Sequence, residues 1–297
     1  MRALAGAPAV LTPLAIAAAL FGLVLPSQQV SAHSDLLLAL LVLATALGIS
    51  AADLRRLRSH AREVLALSVA PLLVLGAVSW LLGRAFAPAT RDGLLAVGLS
   101  SSEVAAVGLV ALARADATIA LGAVTGSLIL AALVGPVAIG ALSGGAAHAG
   151  SLHLLGRFAL VVLVPLALGV AARSARSWRA RLQTLDEQRE GVAALAVVAL
   201  VYAALSGTQG AGHLGTAILA SGAFLAVSAL LGAAWHRSRE GSASAVPGAL
   251  AIAMRDFAVA AALATQAFGT GAAAVPGVYG VMMLVAGAVA AGRLKLP

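Results

Sequence analysis

The sequence predicts an all-α polytopic membrane protein in which ten transmembrane helices form two inverted repeats of five. Three observations lead to this fold class. First, 61% of the 297 residues are hydrophobic and only 10% are charged, whereas a soluble domain carries about 25% charged residues. Second, apolar stretches long enough to cross a bilayer recur along the whole chain. Third, two of these stretches carry polar and charged residues at corresponding positions.

Ten apolar stretches are each predicted to cross the membrane as a helix, because hydrocarbon offers no partner for open backbone groups. The predicted helices cover residues 8–25, 36–52, 64–83, 92–112, 117–142, 153–172, 190–206, 213–235, 246–268 and 273–292. The fourth and ninth are the least regular, and we predict that these two crossing helices are discontinuous.

The first of these stretches also resembles a signal peptide. Arg2 precedes an apolar run, and the small residues at 30–32 form a possible cleavage site. However, the apolar run over residues 8–25 is already long enough to span the bilayer. A retained first helix is therefore the favoured interpretation.

The distribution of arginine predicts the orientation of the chain. Arginines cluster between predicted helices two and three, six and seven, and eight and nine, whereas segments 206–213 and 268–276 contain no lysine or arginine. By the positive-inside rule, the protein is predicted to lie in the inner (plasma) membrane with both termini cytoplasmic. Arg84, Arg91 and Arg157 fall on the opposite side.

Charge and cysteine content exclude several function classes. The net charge of +8 comes from these arginine clusters at the membrane face, so no nucleic-acid partner is predicted. The chain contains no cysteine, which excludes disulfides, thiolate metal sites and thiol catalysis.

A weak internal repeat supports the inverted arrangement. The segment "LAVGLSSSEVAAVGLVALARAD" (95–116) aligns without gaps on "LAIAMRDFAVAAALATQAFGTG" (250–271). This alignment pairs the fourth predicted helix with the ninth, so the second set of five helices is inverted in the membrane. The first repeat is predicted to cover residues 1–145 and the second residues 146–297.

The aligned segments place their polar residues at the same point. Inverted-repeat transporters bring two interrupted helices together near the midplane, where substrate and ions bind, and charged residues inside a membrane are functional by default. The predicted substrate- and ion-binding residues are Ser100, Ser101, Ser102, Glu103, Arg255, Asp256, Thr265 and Gln266.

Each of these residues has a functional and a structural interpretation. Arg255 could hold an anionic substrate or pair with Glu103, and Asp256 could carry a proton or a cation; the alternative is a salt bridge that locks the two helices together. The three serines could bind substrate or their own backbone. Thr265 and Gln266 could line a cavity or bond another helix.

Four segments resemble the bile acid:sodium symporter family of ten-helix secondary transporters. The matching segments are "ATALGISAADLRRL" (44–57), "LARADATIAL" (112–121), "AIAMRDFAVAAALA" (251–264) and "AVPGVYG" (274–280). The resemblance implies that a panel domain moves against a core domain, and that the two domains are interleaved between the two repeats. It also implies transport of organic anions.

The resemblance does not extend to most of the family's sodium ligands. Positions that carry a glutamate and a Ser-Asn pair in the family hold Ala251, Ala106 and Val107 here, and the family's Gln-Asn pair falls on Arg255 and Asp256. Coupling to two sodium ions therefore does not follow from the resemblance.

These observations predict a secondary active transporter that moves a small solute, an organic anion, by alternating access. No cofactor is predicted beyond a coupling ion, either a proton or sodium, and metal ligands are not identified. The chain has no phosphate-binding loop of the G-x-x-x-x-G-K type and no G-x-S-x-G nucleophile turn, so an enzyme is not expected. The alternative is a channel or a structural membrane subunit.

Overall fold

The computed structural model describes residues 2–145, 147, 150–206 and 211–294, which form helices joined by short segments. The α-helices are α1 (Arg2–Val24), α2 (Gln28–Ala32), α3 (Ser34–Ala46), α4 (Ala51–Arg56), α5 (Ala61–Gly83), α6 (Pro88–Gly98), α7 (Ala105–Leu112), α8 (Ala117–Leu142), α9 (Ser151–Ser174), α10 (Arg176–Thr184), α11 (Asp186–Ser206), α12 (Ala211–Ser238), α13 (Ala245–Ala253), α14 (Phe257–Phe268) and α15 (Ala274–Leu294). Short 3₁₀ helices occur at Leu57–His60 and Thr270–Ala273. The all-α class is thus confirmed for the described residues.

Six stretches of the described residues are long and apolar enough to cross a membrane. They are Ala52–Gly83, Ala117–Leu142, Ser151–Ser174, Asp186–Ser206, Leu214–Ser238 and Thr270–Gly287. Shorter apolar helical stretches cover Thr12–Val24, Ser34–Ala46 and Phe257–Phe268. The chain is therefore a multi-pass membrane protein.

The helix predicted over residues 36–52 is too long, because α3 ends at Ala46. A capping box starts α4 instead: the Asp53 backbone N–H donates to Ser50 Oγ at 3.2 Å, and the Ser50 backbone N–H donates to Asp53 Oδ2 at 3.0 Å. This exchange satisfies open N–H groups at the start of a helix. Residues 47–50 are consequently a turn at the end of the span.

Both predicted crossing helices are interrupted. The first consists of α6, which ends at Gly98, and α7, which starts at Ala105; the second consists of α13, which ends at Ala253, and α14, which starts at Phe257. α6 packs against α5 and α14, whereas α13 packs against α12, α7 and α8. The four half-helices therefore lie within the body of the bundle.

The remaining helices pack around this centre in two groups. α3 packs against α9 and α11, and α11 packs against α1. In the other group, α5 packs against α6 and α8, and α12 packs against α13 and α15. The uncharged loop predicted over residues 206–213 lies partly outside the described residues.

Gly98 allows α6 to approach α5 closely. A Cβ atom on Gly98 would lie 2.5 Å from the carbonyl oxygen of Leu75 and would collide with the Ser79 side chain. We expect Gly98→Val to lower the free energy of unfolding by about 1–3 kcal/mol, the usual cost of overpacking a core.

The fall in melting temperature of the purified protein measures this effect. Gly108→Ala is the matched control, since a Cβ on Gly108 meets nothing within 4 Å and alanine favours a helix. Equal melting temperatures for the two variants would show that the contact between α5 and α6 is looser than described.

Candidate functional site

The two helix breaks meet as a short pair of antiparallel extended segments. Glu103 donates its backbone N–H to the Met254 carbonyl at 3.0 Å, and Asp256 donates its backbone N–H to the Ser101 carbonyl at 2.8 Å. Between these two bonds, Ser102 and Arg255 form an isolated antiparallel bridge. Backbone groups freed by each break are thus satisfied by the other, as the interior of a membrane protein requires.

Side-chain hydroxyls complete the hydrogen bonding at the crossing. Ser102 Oγ donates to the Ala251 carbonyl at 2.9 Å, and Ser127 Oγ of α8 accepts from the Ser102 backbone N–H at 3.0 Å. Tyr279 Oη of α15 accepts from the Arg255 backbone N–H at 2.9 Å. The crossing is therefore held by α8 and α15 as well as by its own two segments.

The Arg255 side chain is buried at this crossing, and its guanidinium forms no hydrogen bond or ion pair with a described residue. Its exposed fraction is 0%, and Nε, Nη1 and Nη2 have no hydrogen-bond partner among the described residues. No carboxylate of the described residues forms an ion pair with it within 4.0 Å. The predicted alternative in which Arg255 pairs with Glu103 is therefore wrong.

Asp256 caps the helix that follows the break. Its Oδ1 accepts the backbone N–H groups of Ala258 at 2.9 Å and Val259 at 3.0 Å. Its Oδ2 lies 3.5 Å from Ser101 Oγ. One carboxylate oxygen thus stabilises the start of α14, while the other faces the first break.

Glu103 brings a second carboxylate to the crossing. It lies just before α7, its exposed fraction is 7%, and its Oε2 has no hydrogen-bond partner among the described residues. A buried polar atom without a partner costs free energy. This oxygen is therefore available to bind a proton or a cation.

The three serines mainly support the crossing. Ser100, which lies after the end of α6, donates from Oγ to the Val97 carbonyl of that helix at 2.8 Å, so it binds nearby backbone as in the structural interpretation. Ser101 and Ser102 instead contact the second break through Asp256 and Ala251. All three are fully buried.

Thr265 and Gln266 lie away from the crossing, about two turns further along α14. Thr265 Oγ1 donates to the Ala261 carbonyl at 2.8 Å, and Gln266 Nε2 donates to Asp35 Oδ1 of α3 at 2.8 Å. The structure thus brings six of the eight predicted residues together and separates these two.

The Gln266 contact belongs to a polar cluster that the sequence analysis missed. Arg157 of α9 pairs with Asp35, with Nη2 lying 2.6 Å from Oδ2. Asp35 therefore connects α3, α9 and α14. Arg157 was the available signal, because an arginine on the arginine-poor side departs from the charge pattern of the chain.

Tyr279 and Ser127 were also missed as parts of the site. Tyr279 is one of two tyrosines in the chain, and it is fully buried. A buried tyrosine hydroxyl usually finds a hydrogen-bond partner. A tyrosine within the apolar last helix was therefore a sign that an open polar group lies close to it. Ser127 lies three residues after Val124, a spacing that fits a hydrogen bond within its own helix. Nothing in the spacing along the sequence indicates its contact with Ser102.

The turn before α8 is held by hydrogen bonds to Asp116. Arg114 adopts a positive φ of 54° at the end of α7, and Asp116 Oδ1 accepts the backbone N–H groups of Thr118 and Ile119. Asp116 also lies 3.8 Å from His60 Nε2. The turn therefore lies beside the arginine-rich segment that precedes α5.

The side chains of the crossing can supply a positive charge and two carboxylates in a buried position. Among the described residues, no group of three or more histidine, aspartate or glutamate side chains is arranged to hold a metal ion. The chemistry available at the crossing is thus ion pairing and reversible binding of a proton or cation.

Comparison with known proteins gives one family match. The model of the SBF-like CPA transporter family, which is bile acid:sodium symporter-like, matches residues 9–295. No curated protein matches the chain. The match covers both crossing helices and nearly the whole chain, and it confirms the resemblance found in the sequence.

Proposed function

Because the chain belongs to the SBF-like CPA transporter family, we propose that it is a secondary active transporter that moves a small organic anion by alternating access. Membership of a transporter family supports a small-molecule solute and the lipid bilayer as partners of the chain. It gives no support to an enzymatic activity. The proposal concerns the substrate class, the coupling ion and the mechanism.

The buried guanidinium of Arg255 is the observation that carries this proposal. A charge at the centre of a membrane protein is costly unless it is paired or hydrated, and Arg255 has neither a carboxylate nor a hydrogen-bond partner among the described residues. Its fork of N–H donors matches a carboxylate, sulfonate or phosphate group. An anionic substrate bound at the crossing would supply the missing partner.

The geometry of the crossing supports two inverted repeats. The alignment of the two polar segments relates positions 155 residues apart, and Ser101 and Asp256, which contact each other, are separated by this offset. The backbone pairing is itself symmetric about Ser102 and Arg255, because the bond from Glu103 to Met254 has its equivalent in the bond from Asp256 to Ser101. A two-fold axis at this point relates residues 153 positions apart (256 − 103 and 254 − 101), which differs by two positions from the offset of the alignment and supports inverted repeats.

Helix packing supports the same ten-helix arrangement. Each of the two broken helices counts as one crossing. The proposed panel then consists of α1, α3, α9 and α11, and the other long helices form the proposed core. The contact between α3 and α9 has an equivalent in the contact between α11 and α1. Arginine-rich connections on one side support cytoplasmic termini in an inner membrane.

Glu103 and Asp256 are the proposed sites of ion coupling, through a proton or through sodium. A purified sample whose melting temperature rises in sodium but not in potassium would favour sodium, since binding to the folded state alone adds RT ln(1 + [L]/Kd). A pH dependence that Asp256→Asn removes, without any sodium effect, would favour protons.

Counterflow in proteoliposomes tests the proposed function. Vesicles loaded with one unlabelled organic anion are diluted into the labelled anion, across a panel of small carboxylates, sulfonates and phosphate esters. A carrier produces transient, saturable accumulation of the label. Flux that rises linearly with concentration and shows no counterflow would instead favour the channel alternative.

Alternating access also predicts a gate at the Asp35 cluster. The hydrogen bond from Gln266 to Asp35 ties α14 of the core to α3 of the panel, and Arg157 holds Asp35 in place. A hydrogen bond to a charged group contributes about 1.5–3 kcal/mol. Gln266→Ala should therefore raise the opening equilibrium on this side by at least about tenfold.

The absence of cysteine from the chain makes this gate measurable. A single Thr265→Cys reporter would be labelled with a membrane-impermeant maleimide, with and without Gln266→Ala. Gln183→Ala, an exposed position on α10, is the matched control. Equal labelling rates in all three proteins would contradict a gate at Asp35.

A further inference from the structure

An apolar pocket opens where the end of α3 meets α10 and the start of α11. Its lining includes Leu40 and Leu43 of α3, Leu47 directly after α3, Leu182 of α10, Leu185 between α10 and α11, and Val192 of α11. The cavity volume is about 220 Å³, which is room for roughly seven groups the size of a water molecule at about 30 Å³ each. Ala44, Gln188 and Arg189 complete the lining, and the surface that faces the cavity is almost entirely apolar.

The mouth of this pocket is open to the surroundings of the protein. Leu185 is 48% exposed, Leu40 is 41% exposed and Val192 is 39% exposed. α3 and α11 are apolar helices of the membrane-spanning part. The pocket therefore opens at the edge of the bilayer, where acyl chains are the abundant apolar groups.

α10 supplies a positive charge beside this mouth. Its sequence, "RSWRARLQT", combines arginines with Trp178, which is 55% exposed. Such basic helices with an aromatic residue lie in the membrane interface. Arg181, adjacent to the lining residue Leu182, is exposed and forms no ion pair with a described residue. It is therefore a cation without a carboxylate partner among the described residues.

Two arginines fix the shape of the pocket and are themselves neutralised. Arg173 makes a bidentate contact with Asp186, with both N···O distances at 3.1 Å. Arg189 donates from Nη1 to the Ala44 carbonyl at 3.1 Å and pairs with Asp186 at 3.4 Å. The ends of α9, α3 and α11 are thus joined around the cavity, and among the side chains that the structure describes beside the pocket, Arg181 is the cation available for a ligand.

We propose that this pocket holds one acyl chain of an anionic phospholipid whose phosphate contacts Arg181. The charge of Arg181 and the apolar lining together fit an anionic lipid better than a neutral one. This site is distinct from the helix crossing and does not depend on the substrate proposed for it. The lipid would join α10 to the ends of α3 and α11 from the membrane side.

Native mass spectrometry of the purified full chain tests the proposal. The protein is titrated with phosphatidylglycerol, and with phosphatidylcholine carrying the same acyl chains. We expect one phosphatidylglycerol to be retained at concentrations where phosphatidylcholine is lost. Arg181→Gln should weaken this binding about fivefold, the factor that one arginine near an anionic surface contributes.

Substitutions at the mouth separate the pocket from general surface attraction. Val192→Trp and Leu185→Trp place an indole in the opening and should each weaken binding at least about tenfold. Because both residues are exposed, folding should tolerate the larger side chain. The matched controls are Leu195→Trp, 68% exposed on the same helix and outside the pocket, and Arg237→Gln at the end of α12.

Two results would overturn the proposal. Equal retention of phosphatidylglycerol and phosphatidylcholine would remove the role of Arg181. Loss of binding in the control variants to the same extent as in the pocket variants would show that the lipid is held by the general surface and not by this cavity.

Discussion

Replacing Arg255 with methionine is expected to abolish transport without destabilising the fold. In the described residues the guanidinium contacts no hydrogen-bond acceptor, and its exposed fraction is 0%. If an anionic substrate is its partner, removing it breaks a buried charge pair, which costs about 2–5 kcal/mol of binding. Affinity for the transported anion should fall between about thirtyfold and a few thousandfold, as measured by concentration-dependent counterflow.

The effect on stability has the opposite sign. A buried charge without a partner is itself unfavourable, and replacing buried ionic groups with apolar side chains often stabilises a protein by about 1–4 kcal/mol. The melting temperature of Arg255→Met in the absence of substrate should therefore equal or exceed that of the unmodified protein. A purely structural arginine would give a large fall instead.

Two further variants distinguish charge from geometry. Arg255→Lys keeps the charge but loses the planar fork, so it should recover part of the transport. Arg84→Gln is the matched control, since Arg84 is exposed and stacks on Trp80 at 5.4 Å. Normal counterflow by Arg255→Met would contradict the assignment of Arg255 as the substrate ligand.

Asp256→Asn is expected to fold normally and to lose coupled transport. The asparagine carbonyl can still accept the backbone N–H groups of Ala258 and Val259, which Asp256 Oδ1 accepts in the structure, so the cap of α14 survives. Only the titratable charge is lost. Uphill accumulation driven by an ion gradient should disappear, while exchange of labelled for unlabelled anion continues.

Asp116 provides a control with the same capping role outside the crossing. Its Oδ1 accepts from Thr118 at 2.8 Å and Ile119 at 3.4 Å. Alanine at either aspartate should cost about 0.5–2 kcal/mol through loss of the cap. Only the change at Asp256 should uncouple transport, so equal transport defects in Asp116→Asn and Asp256→Asn would reduce Asp256 to a structural residue.

The positions of the helices could be predicted because hydrophobic length is a local property of the chain. Each predicted span overlaps a helix or a pair of half-helices, and both interruptions were signalled by charges inside apolar runs, at Glu103 and at Arg255 with Asp256. The end of α3 was missed because the residues after Ala46 are also apolar. There the capping box of Ser50 and Asp53 decided the boundary.

The partners of the site residues could not be predicted, since they depend on pairing between distant segments. Tyr279 and Arg255 are 24 residues apart, and Gln266 and Asp35 are 231 residues apart. Composition shows that such polar groups need partners but does not identify them. An ion pair between Glu103 and Arg255 was a reasonable expectation on charge alone, and the backbone pairing at the crossing holds the two residues without one.

Ligand-dependent melting of the purified protein tests whether Arg255 binds an anion. The unmodified protein and Arg255→Met are heated with each member of the panel of carboxylates, sulfonates and phosphate esters. A ligand at a hundredfold excess over its Kd adds about 2.7 kcal/mol to the stability of the folded state. We expect at least one anion to raise the melting temperature of the unmodified protein and to leave that of Arg255→Met unchanged. An equal rise in both proteins would contradict an anion site at Arg255.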